Sequence, residues 1–184
     1  SESESTRRAS AYGLRNQGQR ATLAIVKALQ AGGPRIRRVA AYALGTVESA
    51  SSQPAVDALI ECVQADDDDL ARSNAAYSLG QLSRAKKCDA QRIAEALLAR
   101  MFPDVEPDNT DVADLPRSTV RQSIAYALMQ LLINHELPDN ITADVVRLAV
   151  DDPDRYVKGM LLEALNCAFS QNPVVAALTG GLIR

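Results

Sequence analysis

The chain has 184 residues, is 47% hydrophobic and carries a formal net charge of −3, so it is long enough to bury a real core and is neither a basic nucleic-acid-binding chain nor a charge-rich disordered one. Aromatics make up 4%, with no tryptophan, so the core must be built from Ala, Leu, Val and Ile, which favours closely packed helices over β-sandwiches. No apolar run approaches the roughly 18 to 20 residues of a membrane span and the opening SESESTRR is not a secretory signal, so a cytoplasmic protein is expected.

In chain order, residues 1 to 5 read as a disordered leader, with the missing initiator Met pointing to a piece of something longer. Then a repeat begins. Five segments align without gaps: TRRASAYGLR from Thr6, IRRVAAYALG from Ile36, ARSNAAYSLG from Ala71, VRQSIAYALM from Val120 and VKGMLLEALN from Val157. Their second position is Arg7, Arg37, Arg72, Arg121 and Lys158, and their ninth is Leu14, Leu44, Leu79, Leu128 and Leu165. Four of the five tyrosines, Tyr12, Tyr42, Tyr77 and Tyr126, share the seventh position, where the last repeat has Glu163. These are the expected inner helices, near 6–16, 36–48, 71–84, 118–134 and 155–169.

A second set lies between them, starting at Ala21, Pro54, Asp89, Ile141 and Pro173, with apolar residues at i, i+3, i+4 and i+7, as in Val56, Leu59, Ile60 and Val63. That period is an amphipathic helix. Asn172 before Pro173, Asp89, Asn140 and Ser118 are the expected caps. The unit is an outer helix, a tight turn, an inner helix and a return, repeating at spacings of 30, 35, 49 and 37 residues. Such hairpins bury their apolar stripes only by stacking.

Arg37 to Gly45, and nearly Arg72 to Gly80, follow the pattern Arg, two residues, Ala-Ala, one residue, Ala-Leu-Gly. This resembles HEAT repeats, especially the short HEAT-like subtype found in phycobilisome lyases, and the turns AGGP, ADDDD and DDPD are similar too. The resemblance implies an all-α, right-handed α-solenoid of about five hairpins over residues 6–184. It implies armadillo-like scaffolding more than any particular activity.

One stretch departs from it. PDVEPDNTDVADLPR, after the third outer helix, holds Pro103, Pro107 and Pro116 and five acidic residues; it cannot continue a helix, so an exposed acidic insertion is expected at 103–116.

Residues that would carry chemistry are few. His135 is the sole histidine, with no partner His and no Cys near it in sequence, so neither a His-based metal triad nor a general base is expected. Cys62, Cys88 and Cys167 form no C-x-x-C and read as small buried hydrophobes. The acids at 66–69 and 151–154 lack a calcium-loop pattern; they are expected to complement helix dipoles and to meet the second-position Arg or Lys of neighbouring repeats, although the AGGP turn offers Arg37 no acid. Gly32-Gly33-Pro34 and Gly180-Gly181 match no phosphate loop. No cofactor, metal or catalytic residue is expected.

The binding surface is read from helical spacing. Arg38, Tyr42 and Gly45 share one face with the sets Arg8, Tyr12, Arg15; Ser73, Tyr77, Gly80; Gln122, Tyr126, Met129; and Gly159, Glu163, Asn166. That face lies opposite Ile36, Val39, Ala40, Ala43 and Val47, the expected buried stripe. In a HEAT superhelix the inner helices line the concave side, so Arg8, Tyr12, Arg15, Arg38, Tyr42, Tyr77 and Tyr126 are the expected protein-binding residues. Tyrosine suits interfaces, and it equally suits packing between repeats. Residues 1 to 50 carry +5, against −7 over 51 to 114 and −1 over 115 to 184, so an acidic or phosphorylated partner is expected at the N-terminal end. A non-catalytic protein or peptide scaffold is the leading reading. Two alternatives are a phycobilin lyase-like chromophore-attachment subunit, and nucleic-acid binding, which the low isoelectric point disfavours.

Overall fold

A computed structural model describes residues 18–46, 53–84, 88–102 and 118–169. They form eight helices and no strand: α1 (Gly18–Ala31), α2 (Pro34–Leu44), α3 (Gln53–Ala65), α4 (Asp69–Leu82), α5 (Ala90–Met101), α6 (Ser118–Asn134), α7 (Asp139–Asp151) and α8 (Arg155–Phe169). The four inner helices α2, α4, α6 and α8 stack in sequence, as do the outer helices α1, α3, α5 and α7, and each outer helix packs on the inner helix that follows it. The result is an α-solenoid of four described hairpins, in which each unit is covered by its neighbours. The expected first inner helix at 6–16, the helix from Pro173 with its Asn172 cap, the leader, the Gly180-Gly181 pair and the insertion at 103–116 lie outside the described residues.

Each described inner helix starts two residues before its aligned segment, at Pro34, Asp69, Ser118 and Arg155, so α2 and α4 begin two residues earlier than expected and the gapless alignment carries through to the backbone. Local chemistry sets these starts. Pro34 has its φ preset for a first helical position, and Gly33 caps with backbone alone; Asp68 caps α4 by accepting from the Ala71 N–H at 2.9 Å. Asp89 caps α5, as expected, through the Arg92 N–H at 3.2 Å. The expected cap at Asn140 is corrected: α7 starts at Asp139, directly after Pro138, whose carbonyl accepts from the Thr142 N–H. Proline is locked in the extended geometry that an N-cap needs, so the helix begins a residue earlier, with Asp139 favouring its dipole. The inner helices also end earlier than expected, α2 at Leu44 and α4 at Leu82. Gly45 and Thr46 tighten into a last turn on the Tyr42 and Ala43 carbonyls.

The core follows the repeat. Leu44, Leu79 and Leu128 are fully inaccessible and Leu165 nearly so. Of the expected buried stripe, Val39 is half-buried and Ala40 and Ala43 are buried, while Val47 falls outside the described residues. Ile36 overturns its expectation, being 54% exposed where the equivalent Ala71, Val120 and Val157 are fully buried. It rests on Gly32, which has no side chain to shield it.

Successive inner helices approach so closely that glycine is required at two seams. A methyl group at Gly45 would lie 2.8 Å from the Ser78 Cα, and one at Gly80 would lie 2.9 Å from the Ala127 Cα. Both glycines were assigned by spacing to the open face with the tyrosines. They belong instead to the packing between repeats, where Ser78 Oγ also donates to the Ala41 carbonyl at 2.7 Å.

Candidate functional site

The shared seventh position of the inner helices and their close stacking place Tyr42, Tyr77 and Tyr126 in one column. Tyr42 and Tyr77 stack with ring centroids 6.2 Å apart and planes 10° from parallel, and Tyr77 and Tyr126 at 5.1 Å and 17°. Tyr77 sits between the other two, so its faces are occupied and its edge and hydroxyl remain for solvent; it is 37% exposed, while Tyr42 and Tyr126 are half-buried. Packing between repeats and exposure on one face are therefore both true of the column, where spacing alone offered them as alternatives. Gln81, which the spacing argument missed, donates from Nε2 to the Tyr126 hydroxyl at 2.6 Å. Burial and the neighbouring Tyr77 raise the phenol of Tyr126 above its ordinary value. The signal for Gln81 was its place one turn after Tyr77, on the same face.

Arg38, expected to present free charge beside Tyr42, is committed elsewhere. Its guanidinium grips the Asp68 carboxylate, Nε to Oδ1 at 2.9 Å and Nη2 to Oδ2 at 2.5 Å. That pairing, reinforced by the Ala71 N–H, holds the Asp68 carboxyl below the usual range despite partial burial. The charge of Arg38 is thus neutralised from the following turn.

The same logic recurs along the array. Arg37 bonds the carboxylates of Asp66 and Asp67 in the next turn, Nε to Asp66 Oδ2 at 2.7 Å, which answers the missing acid of the AGGP turn: the partner comes from the repeat ahead. Burial would raise the Asp66 carboxyl, but Arg37 and the Asp68 N–H together hold it low, and the Arg37 guanidinium is raised in turn by its bond to Asp66. Two repeats on, Arg121 pairs with Asp152 and Gln122 donates to Asp154 at 3.0 Å. Asp66 and Asp152 also accept from the Asp68 and Asp154 N–H groups, each at 2.9 Å, so the two acidic turns are built alike. Arg72 breaks the pattern by turning to Asp69 of its own helix and to the Asp66 carbonyl. In the alignment, Leu115 stands where Asp66 and Asp152 do. Lys158 reaches the Val150 carbonyl at 3.2 Å. Among the described residues, the second-position side chains Arg37, Arg72, Arg121 and Lys158 are structural struts.

A cleft of about 380 Å³ opens beside the Arg37–Asp66 pair, lined also by Leu29, Gln30, Glu61 and Cys62. Cys62 is buried and its thiol is pushed up to about 12, by burial first and then by the charge of Asp66. It stays protonated at neutral pH, bonded to Asp66 at 3.6 Å, and is no nucleophile.

Two sequence expectations about thiols need correction. Of the three cysteines, only Cys62 is buried; Cys88 is intermediate and Cys167 exposed. His135 does have a cysteine nearby: Cys88 Sγ lies 3.3 Å from its Nε2. The turn after α4 and the end of α6 meet across the seam between hairpins, a contact spanning 47 residues that no local spacing reveals. Among the described residues, no three His, Cys, Asp or Glu side chains converge as metal ligands would, and no helix is long and apolar enough to cross a membrane.

Arg8, Tyr12 and Arg15, the remaining predicted site residues, lie outside the described residues. Residues 1–80 match the family model described as HEAT repeats. A comparison with curated proteins finds no match.

Proposed function

We propose that the chain is a non-catalytic scaffold that holds a protein or peptide partner against the exposed edge of its inner-helix stack, with Tyr77 as the central anchor between Tyr42 and Tyr126. The observation that carries this is the three-ring column itself, whose middle ring is stacked on both faces and still 37% exposed. Rings held this way lose little entropy when a partner arrives. Partner groups meet ring edges, hydroxyls and the amides of Gln81 and Gln122, so hydrogen bonding and edge contacts do the recognition, not intercalation. The HEAT match over residues 1–80 supports the scaffold class.

Arg38 brings no net charge to this surface, since Asp68 neutralises it. An acidic partner has to find its counter-charge at Arg8 and Arg15, to which the repeat extends the row through Tyr12. The test is capture of partners on the immobilised chain, identification by mass spectrometry, and affinity measurement with each. Tyr77→Ala, with helicity preserved, should weaken binding by about 1–3 kcal/mol, the usual range for an interface anchor. Unchanged affinity for every partner moves the site elsewhere on the array.

A finer reading, the short subtype found in phycobilisome lyases, rests on the Arg37–Gly45 and Arg72–Gly80 segments. A bilin-dependent absorbance change on mixing with the chain supports it; an unchanged spectrum removes it.

A further inference from the structure

We infer, building on the scaffold reading, that the tyrosine row ends at α8 in a site for an arginine side chain of the partner, its guanidinium lying flat on the outer face of Tyr126 and pairing with the Glu163 carboxylate. The column runs along the stack only while the seventh repeat position is tyrosine. Tyr42, Tyr77 and Tyr126 supply rings at 6.2 and 5.1 Å spacing. α8 stacks next on α6, and there the same position is Glu163. Tyr77 therefore has a ring on both faces, whereas Tyr126, among the described residues, has one on a single face. Its other face is turned toward α8, where a carboxylate stands in place of a fourth ring.

Glu163 is exposed and, among the described residues, has no ion pair. The cations of its own helix are engaged elsewhere. Lys158 Nζ donates to the Val150 carbonyl at 3.2 Å, and Arg155 lies over the ring of Tyr156. One turn before Glu163, on the same face, Gly159 leaves open space, since a Cβ there would meet nothing within 4 Å. A side chain entering over Gly159 thus has room to lie beside Tyr126 and reach Glu163.

The face of a tyrosine ring attracts a cation, and the carboxylate supplies the counter-charge. A guanidinium is planar, so it stacks on the ring as a further layer of the column while its N–H fork meets the carboxylate. An ammonium brings the charge without the plane. An anionic group at this end would meet the unpaired charge of Glu163. On the opposite side of Tyr126, Arg84 follows Gln81 by three residues and is exposed, so a partner's cation is repelled from the α4 side and directed to α8. Arg38, farther along the row, is already paired with Asp68.

The probe is acetyl-Gly-Arg-Gly-amide, titrated into the intact chain at low salt and read by the tyrosine ring-proton shifts, with Tyr126→Phe identifying the Tyr126 signal. A saturable shift is expected at Tyr126. It should be smaller with lysine in place of the arginine and absent with citrulline, which keeps the plane and loses the charge. Glu163→Gln, at an exposed position, should weaken binding by roughly threefold to tenfold, and the loss should fade as salt is added. Gly159→Leu fills the open space without a clash and should block the peptide. No saturable shift at Tyr126, equal binding of the citrulline peptide, or indifference to Glu163→Gln overturns the site. If captured partners still depend on Tyr77 in that case, the scaffold reading stands without it. An arginine response that holds while no partner depends on Tyr77 supports this site and counts against Tyr77 as the anchor.

Discussion

Gly80 of α4 faces the backbone of Ala127 in α6 so closely that an added methyl group would come within 2.9 Å of the Ala127 Cα. Backbone cannot rotate away as a flexible side chain can, so the clash has to be relieved by separating the two inner helices. Gly80→Ala thus sets two effects against each other. Better helix propensity favours alanine by about 1 kcal/mol, and overpacking costs about 1–3 kcal/mol. A net loss is expected, larger than for the open position Gly159, where the same change meets nothing within 4 Å and should stabilise. Urea unfolding of both variants checks the difference, and equal stabilisation of both means the helices are not in contact there.

Leu79 is fully inaccessible at the ninth repeat position. Leu79→Ala should cost about 2–5 kcal/mol, the range for buried leucines that leave a cavity. Chemical denaturation measures it, and a loss under about 0.5 kcal/mol, typical of a surface change, would show the repeat register to be misassigned.

Arg121 and Asp152 form the most deeply buried ion pair described, with side chains 6% and 0% exposed. Removing one partner strands the other, so Arg121→Met should destabilise by about 3–5 kcal/mol. Replacing both, with Asp152→Asn added, should recover part of that loss because no buried charge remains unpaired. A double variant no more stable than the single one shows that the pair is not coupled.

Acid sensitivity follows from the turn carboxylates. Asp66 and Asp68 are held below their ordinary values by Arg37 and Arg38, so the folded state binds fewer protons than the unfolded one. Their contribution is fully present above the unfolded carboxylate value of about 3.9 and is lost as pH falls below it toward their folded values. Thermal melts from pH 7 down to pH 2 should show the melting temperature falling chiefly below about pH 4. In Asp66→Asn that fall should be shallower, from a lower starting stability at neutral pH.

The sequence by itself determined the repeat, the helix type of the described segments and the buried leucines Leu44, Leu79, Leu128 and Leu165, because these depend on period and on chemistry within a few residues. It also put Tyr42, Tyr77 and Tyr126 on one row, since equal positions in stacked units must line up. What only the tertiary structure decided are relations between units. Gly45 and Gly80 pass from the open face to the helix seam because the inner helices come nearly into backbone contact. Arg38 loses its free charge because the next turn delivers Asp68, 30 residues on. Cys88 meets His135 because stacking closes 47 residues of chain. Helical periodicity fixes the direction of a side chain about its own axis. The offset and distance of the neighbouring helix, set by the sizes of residues on both, decide what that side chain finds there.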